Sequence, residues 1–193
     1  MANPKNFYTL LFTQSSLYMN ESLESQIATL VNTSFHEIPN FTTTPRFANP
    51  SDISRELGDE GLIAIAFDPV PGADRDRPVA CISAKKDALP SILIGSGADE
   101  DEAVDGKGPH FKIYGVATLA SPNGYRKKGL IPLCLRALRD ALPQDSVVWL
   151  ETAEAANGPY WRKNGFEIVR KEMRPAGFWG AEKEFEWVAL RAR

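Results

Sequence analysis

Arg126, Lys127 and Lys128 stand in a row before Gly129, where an amphipathic run begins. The first NH groups of a helix lack intrahelical acceptors and carry the positive end of its dipole, so they favour an anion. Basic side chains at that point make a phosphate cradle, and Gly129 lets a ligand approach the main chain closely. Other chemistry-bearing residues are sparse. His36 and His110 are the only histidines, and Cys81 and Cys134 the only cysteines. None falls in an H-x-x-H, H-E-x-x-H or C-x-x-C pattern, and G-x-S-x-G and Walker-type runs are absent, which argues against a zinc centre or a nucleophilic hydrolase. No metal is expected. The acidic run Asp99 to Asp105 lacks the D-x-D-x-D-G spacing of a calcium loop and reads as a solvated face.

A cradle needs a strand leading into it and a helix leading out. His110 to Ala120 reads as that strand and Pro122-Asn123-Gly124 as the turn. In the helix that follows, Cys134, Leu138, Ala141 and Leu142 mark the buried face, Pro132 fits the first turn, and Pro143 ends the helix. Upstream, Phe7 to Phe12 reads as a strand. One helix follows, with Leu17, Leu23, Ile27, Leu30 and Val31 on its apolar face and His36 and Glu37 at its close. A proline-rich loop spans 38 to 50, and Ser51-Asp52 is placed to cap a short helix through Leu57. Leu62 to Phe67 is a continuous apolar run, as in a strand buried on both faces, and it turns back into Val79 to Ser83. Downstream come a strand at Val147 to Leu150, a helix at Asn157 to Lys163, and strands at Phe166 to Val169 and Phe185 to Leu190 around P-A-G-F-W-G.

The 193 residues carry 43% hydrophobic content and a net charge of -3 from 22 basic and 25 acidic side chains. These values fit one globular domain over 1–193 with an acidic insertion at about 87–109, and they give no global basic field for nucleic acid. The N-terminal apolar run is too short for a signal peptide or a membrane span, so no membrane partner is expected and the cytoplasm is the expected location. Both cysteines read as reduced core residues. Monomer and homodimer are equally compatible with the sequence.

The order of elements, the run Arg126-Lys127-Lys128-Gly129-Leu130-Ile131 between strand and helix, and Gly165-Phe166 after the Tyr160-Trp161 helix together resemble the GNAT superfamily of N-acetyltransferases, best over residues 110–170. The family's turn pattern is R/Q-x-x-G-x-G/A. The resemblance implies an α/β (α+β) fold: a mostly antiparallel sheet of about seven strands with splayed middle strands, flanked by about four helices. It implies acyl transfer from acetyl-CoA or another acyl-CoA to a small-molecule amine, which attacks the thioester directly. Leu119, Ala120 and Ser121 would meet the pantetheine arm, with the backbone near Leu119 polarising the thioester carbonyl. Arg126, Lys127, Lys128, Gly129, Leu130 and Ile131 would hold the pyrophosphate, and Asn157 is assigned to the coenzyme as well.

Two positions depart from the family. Ile131 replaces its Gly or Ala. Trp161 stands four residues before Gly165, where the family places the tyrosine that protonates the leaving thiolate; an indole NH does not ionise in the relevant range, so either the neighbouring Tyr160 acts or the acid is missing, and proximity favours Tyr160. The strand before the turn, His110 to Gly115, holds no carboxylate, and Glu151 is the nearest acidic candidate for the base that deprotonates the amine. His110 and His36 are possible bases acting through water. Acceptor choice is assigned to the first helix and its loop (His36, Glu37) and to the final hairpin (Phe178, Trp179). Ile131 and Trp161 also motivate a second reading: a GNAT-fold protein with another reaction or a metabolite-binding role. A third reading is an interaction module recruiting a basic partner through the acidic insertion.

Overall fold

The computed structural model describes residues 7–38, 45–72, 76–87, 108–119 and 124–192. In chain order these form β1 (Tyr8–Thr13), α1 (Gln14–Tyr18), α2 (Glu21–His36), α3 (Asp52–Leu57), β2 (Leu62–Asp68), β3 (Arg77–Lys86), β4 (His110–Thr118), α4 (Leu130–Ala141), β5 (Val147–Ala153), α5 (Glu154–Lys163), β6 (Phe166–Arg174) and β7 (Phe185–Ala192). A turn of 3-10 helix lies at Phe178–Gly180. The strands run β1-β2-β3-β4-β5-β7-β6 in one sheet. β4 and β5 are parallel, paired from His110↔Val147 to Ile113↔Leu150. The pairs β1–β2, β2–β3, β5–β7 and β6–β7 are antiparallel, giving the mostly antiparallel sheet expected. The chain gathers into two compact units.

The first unit holds β1, α1 to α3, β2, β3, the end of β4 from Gly115, and α4. Its centre is β2, whose Ile63, Ala64, Ile65 and Ala66 are fully buried, as the unbroken apolar run predicts. Cys134, Leu135 and Leu138 form the buried stripe of α4, while Ile27, Leu30 and Val31 supply that of α2. The first helix is two helices. Thr13 and Ser16 form a capping box on α1, and Asn20 then starts α2 by accepting the Leu23 N–H at 3.2 Å. Ser51 makes no capping bond to α3; Asp52 instead turns back to accept the Asn49 N–H at 2.8 Å. Cys81 and Cys134 are free, buried thiols. Burial pushes both pKa values up, that of Cys134 to about 12, so neither thiolate is available as a nucleophile.

The second unit holds the start of β4 through Tyr114, then β5, α5, β6 and β7. Trp149, Leu150, Trp187, Val188 and Leu190 are buried in its sheet, and Trp161 of α5 meets Phe166 edge-on at 5.2 Å. β5 extends three residues past its apolar run because Glu151, Thr152 and Ala153 stay in register with Ala189, Val188 and Trp187. Glu151 is therefore inside a strand. β6 reaches Arg174 through a stretch of alternating charge that an apolar-run criterion does not detect. Residues 88–107 of the acidic insertion, and Ala120 and Ser121 of the expected coenzyme path, lie outside the described residues.

Candidate functional site

In the first unit, the end of β4 is fixed from two sides. Leu119 donates its N–H to the Val79 carbonyl at 2.9 Å, and Ser34 Oγ of α2 donates to the Thr118 carbonyl at 3.2 Å. The Leu119 N–H is thus spent within the sheet, so a donor to a thioester carbonyl in this region would have to be another backbone group near Leu119. Upstream, Gly115 adopts φ +58 in mid-strand, and its carbonyl accepts the Cys81 thiol at 3.4 Å. Only glycine takes that conformation without strain.

The basic turn is rooted by Tyr125. Its hydroxyl donates to Asp68 Oδ2 at 2.5 Å, both side chains are buried, and its ring meets Phe7 edge-on at 6.0 Å. Asp68 ends β2, so a carboxylate closing the most buried strand anchors the segment from which the basic residues project. Beyond Tyr125 the backbone alternates in hand: Lys127 has φ +63, Lys128 keeps a negative φ, and Gly129 has φ +75. Such alternation turns successive NH groups toward one side and makes an anion-binding nest. A lysine in the left-handed region costs about 1 to 2 kcal/mol.

Gly129 then serves as the cap position of α4, its carbonyl accepting the Leu133 N–H at 3.1 Å. Pro132 has no N–H, so Leu130 and Ile131 are the donors that the first turn presents. Among the described residues nothing lies within 4 Å of a Cβ built on Gly129, so that side of the glycine is open. Ile131 is half-buried and contributes an N–H as a glycine would; the departure alters side-chain volume and leaves the donor in place. Lys127 and Lys128 are exposed. Arg126 is not a free cation: its guanidinium pairs with Glu37, the residue that closes α2. Two positions that the sequence assigned to different ligands, the coenzyme and the acceptor, therefore bind each other. His36 beside them is exposed.

In the second unit, Glu151 accepts from Lys112 Nζ at 3.0 Å, and the same ammonium sits 4.7 Å over the Trp149 ring. The proposed base is thus held in a part-buried ion pair. On α5, Asn157 and Tyr160 are three residues apart and both exposed, on one stripe of the helix. Trp161 on the other side is 4% exposed and packs in the core. Gly158 is buried where a Cβ would fall 2.0 Å from Glu154 Oε2, and this glycine lets Glu154 fold against its own helix and pair with Arg162. In the last hairpin, Phe178, Trp179 and Phe185 form an aromatic group with centroids 5.1 to 6.1 Å apart. Arg174 lies 4.8 Å over Phe178 and 4.9 Å over Trp187. Phe178 is half-buried and Trp179 exposed, with a left-handed φ of +53.

The sequence reading missed Tyr125–Asp68, Lys112 and the Arg126–Glu37 pair. A tyrosine directly before the basic run and a lone carboxylate ending an apolar strand were the available signals for the first. Among the described residues no group of three or more His, Cys, Asp or Glu is disposed to hold a metal ion.

No family model and no curated protein matches the chain. Solved structures do. NAA60 of Arabidopsis thaliana in complex with a bisubstrate analogue superposes with a TM-score of 0.58 at 16% identity, over 97% of this chain and 98% of that one. An acyl-CoA N-acyltransferase of Pseudomonas aeruginosa gives 0.56 at 14% identity, over 97% and 100%. A GNAT-family acetyltransferase of Streptococcus pneumoniae gives 0.57 at 10% identity, over 96% and 98%. The chain has the fold of the GNAT N-acetyltransferases.

Proposed function

We propose that this chain is an acyl-CoA-dependent N-acyltransferase, transferring an acetyl group to a small-molecule amine. The observation that carries the reading is the turn at 127–129: alternating φ signs, an open face at Gly129 and two lysines at the head of α4, in a chain of GNAT fold. The residues present suit the coenzyme. Lys127 and Lys128 supply charge, and the NH groups of Lys128, Gly129, Leu130 and Ile131 supply donors to phosphate oxygen, each a charge-assisted bond about twice as strong as a neutral one.

Acetyl-CoA would bring the activated acyl group as a thioester. The chain's own tasks are then three. The nest and lysines hold the pyrophosphate. Glu151 takes a proton from the acceptor ammonium, which must be neutral before it attacks. Tyr160, with an exposed phenol, delivers a proton to the departing sulfur, a task closed to Trp161 by its chemistry and by its burial. His36, Glu37, Phe178 and Trp179 are the residues we assign to the acceptor.

The burial of Trp161 supports a second reading, a coenzyme-binding protein without transfer. A thiol-release assay with acetyl-CoA and a panel of primary amines decides between them. Transfer that falls at least tenfold in kcat in Tyr160→Phe, with acetyl-CoA affinity retained, supports the enzyme. Coenzyme binding with no thiol release for any amine favours the second reading, and equal turnover in Tyr160→Phe removes that residue from the mechanism.

A further inference from the structure

The two edges of the sheet are treated differently by the sequence. β6, the last strand in the order, carries Glu167, Arg170, Lys171, Glu172 and Arg174 among its nine residues, and its pairing to β7 is interrupted by a bulge between Ile168 and Arg170. Charge and a bulge are the ordinary devices that stop an exposed strand edge from pairing with another chain. β1, the first strand, has neither. Its pairing to β2 runs without a shift from Tyr8↔Phe67 to Thr13↔Leu62, and residues 7–20 contain no Asp, Glu, Lys, Arg or His.

The same stretch is unusually apolar on its surface. Of ten exposed large hydrophobic residues among those described, five lie here: Tyr8, Leu10, Leu11, Tyr18 and Met19, the last 82% exposed. Tyr8 stacks on Phe67 with centroids 5.4 Å apart and donates its hydroxyl to Asp76 at 2.6 Å. Leu10 and Phe12 line a shallow groove of about 210 Å³ beside Leu23 and Gln26 of α2. β1 is the edge strand among the described residues, and an edge strand in an antiparallel ladder leaves alternate NH and carbonyl groups pointing outward.

We propose that β1 is a dimer interface, paired edge to edge and antiparallel with β1 of a second copy of this chain. Three observations select that occupant. The stretch itself carries no charge over fourteen residues, and the carboxylate that lines its groove, Asp76, accepts the Tyr8 hydroxyl, so the edge offers no cation to nucleic acid or anionic lipid. An identical strand related by a two-fold axis matches donors to acceptors and sets leucine against leucine without any further requirement on the sequence, as isologous interfaces do. An interface of ordinary size takes about 800 Å² from each partner, more than a six-residue edge supplies, and Tyr18 and Met19 extend the uncharged apolar surface past the end of the strand.

Sedimentation velocity on the full chain, from about 1 to about 100 µM, tests this directly because an association equilibrium shifts with concentration. The wild type is expected at twice the 21.3 kDa chain mass at the upper end. Leu10→Lys is expected to sediment as a monomer throughout with an unchanged circular dichroism spectrum. Met19→Glu, at a side chain too exposed to affect folding, is expected to weaken the dimer at least tenfold, while Met173→Lys on β6 leaves it intact. A monomeric wild type at the highest concentration overturns the proposal. So does a dimer that survives both Leu10→Lys and Met19→Glu.

Discussion

Glu37 is predicted to compete with the coenzyme for Arg126. The two side chains form an ion pair at the head of the basic turn, with the Arg126 side chain 51% and the Glu37 side chain 33% exposed. A pair that open to solvent contributes about 0.2 to 1 kcal/mol. Glu37→Gln releases the guanidinium toward the phosphates, so the dissociation constant for CoA should fall by roughly 1.5- to 5-fold, the same free energy expressed as affinity. Titration calorimetry at about 50 mM salt, where surface charges are least screened, reads this difference. The double variant separates two causes. If Arg126 carries the effect, Glu37→Gln changes nothing in an Arg126→Gln background; if the added positive charge acts through the general field, the gain persists there. Unchanged or weaker binding in Glu37→Gln alone refutes the competition.

Two further outcomes follow from the same geometry. Tyr125→Phe removes a hydrogen bond to a buried carboxylate, worth about 1.5 to 3 kcal/mol. In a chain of this size that lowers Tm by about 3 to 12 °C, and calorimetry showing no loss would mean the Tyr125–Asp68 contact contributes nothing. His110, whose buried Nδ1 has no hydrogen-bond partner among the described residues, has its pKa lowered by desolvation. The unfolded chain therefore binds its proton first, so the stability this group contributes is complete above about pH 6.5 and declines as pH falls toward the depressed folded value. Urea unfolding of wild type and His110→Gln between those limits should show a pH slope in the former that the latter lacks; parallel profiles exclude His110 as the source.

The elements around the site were legible wherever burial wrote a period or a run. The continuous Leu62–Phe67 strand, the i, i+4 stripe of Cys134 and Leu138 closed by Pro143, and the Gly165-Phe166 turn all stand where the pattern puts them. Polar capping was less visible: Asn20 restarts a helix because its side chain accepts one N–H, and that competes with an apolar stripe reading straight through it. β5 and β6 are longer than their apolar runs because a strand is held by its ladder as well as by its side chains. At the site, residue types were readable and pairings were not. Arg126 with Glu37 and Lys112 with Glu151 join residues 89 and 39 apart in the chain, and no local pattern encodes such partners. The left-handed Lys127 was equally hidden, since lysine carries no marker for positive φ.

In the proposed enzyme the nest at 127–129 holds the pyrophosphate of coenzyme A. Thermal unfolding with CoA, set against pantetheine, which shares the thiol arm and lacks the phosphates, tests it most directly. At about one hundred times the dissociation constant, selective binding adds about 2.7 kcal/mol, which for a chain of this size raises Tm by roughly 5 to 11 °C. CoA should give that shift, pantetheine little of it, and Lys127→Ala/Lys128→Ala should lose most of it. Equal shifts with the two ligands, or none with CoA at millimolar concentration, would contradict it.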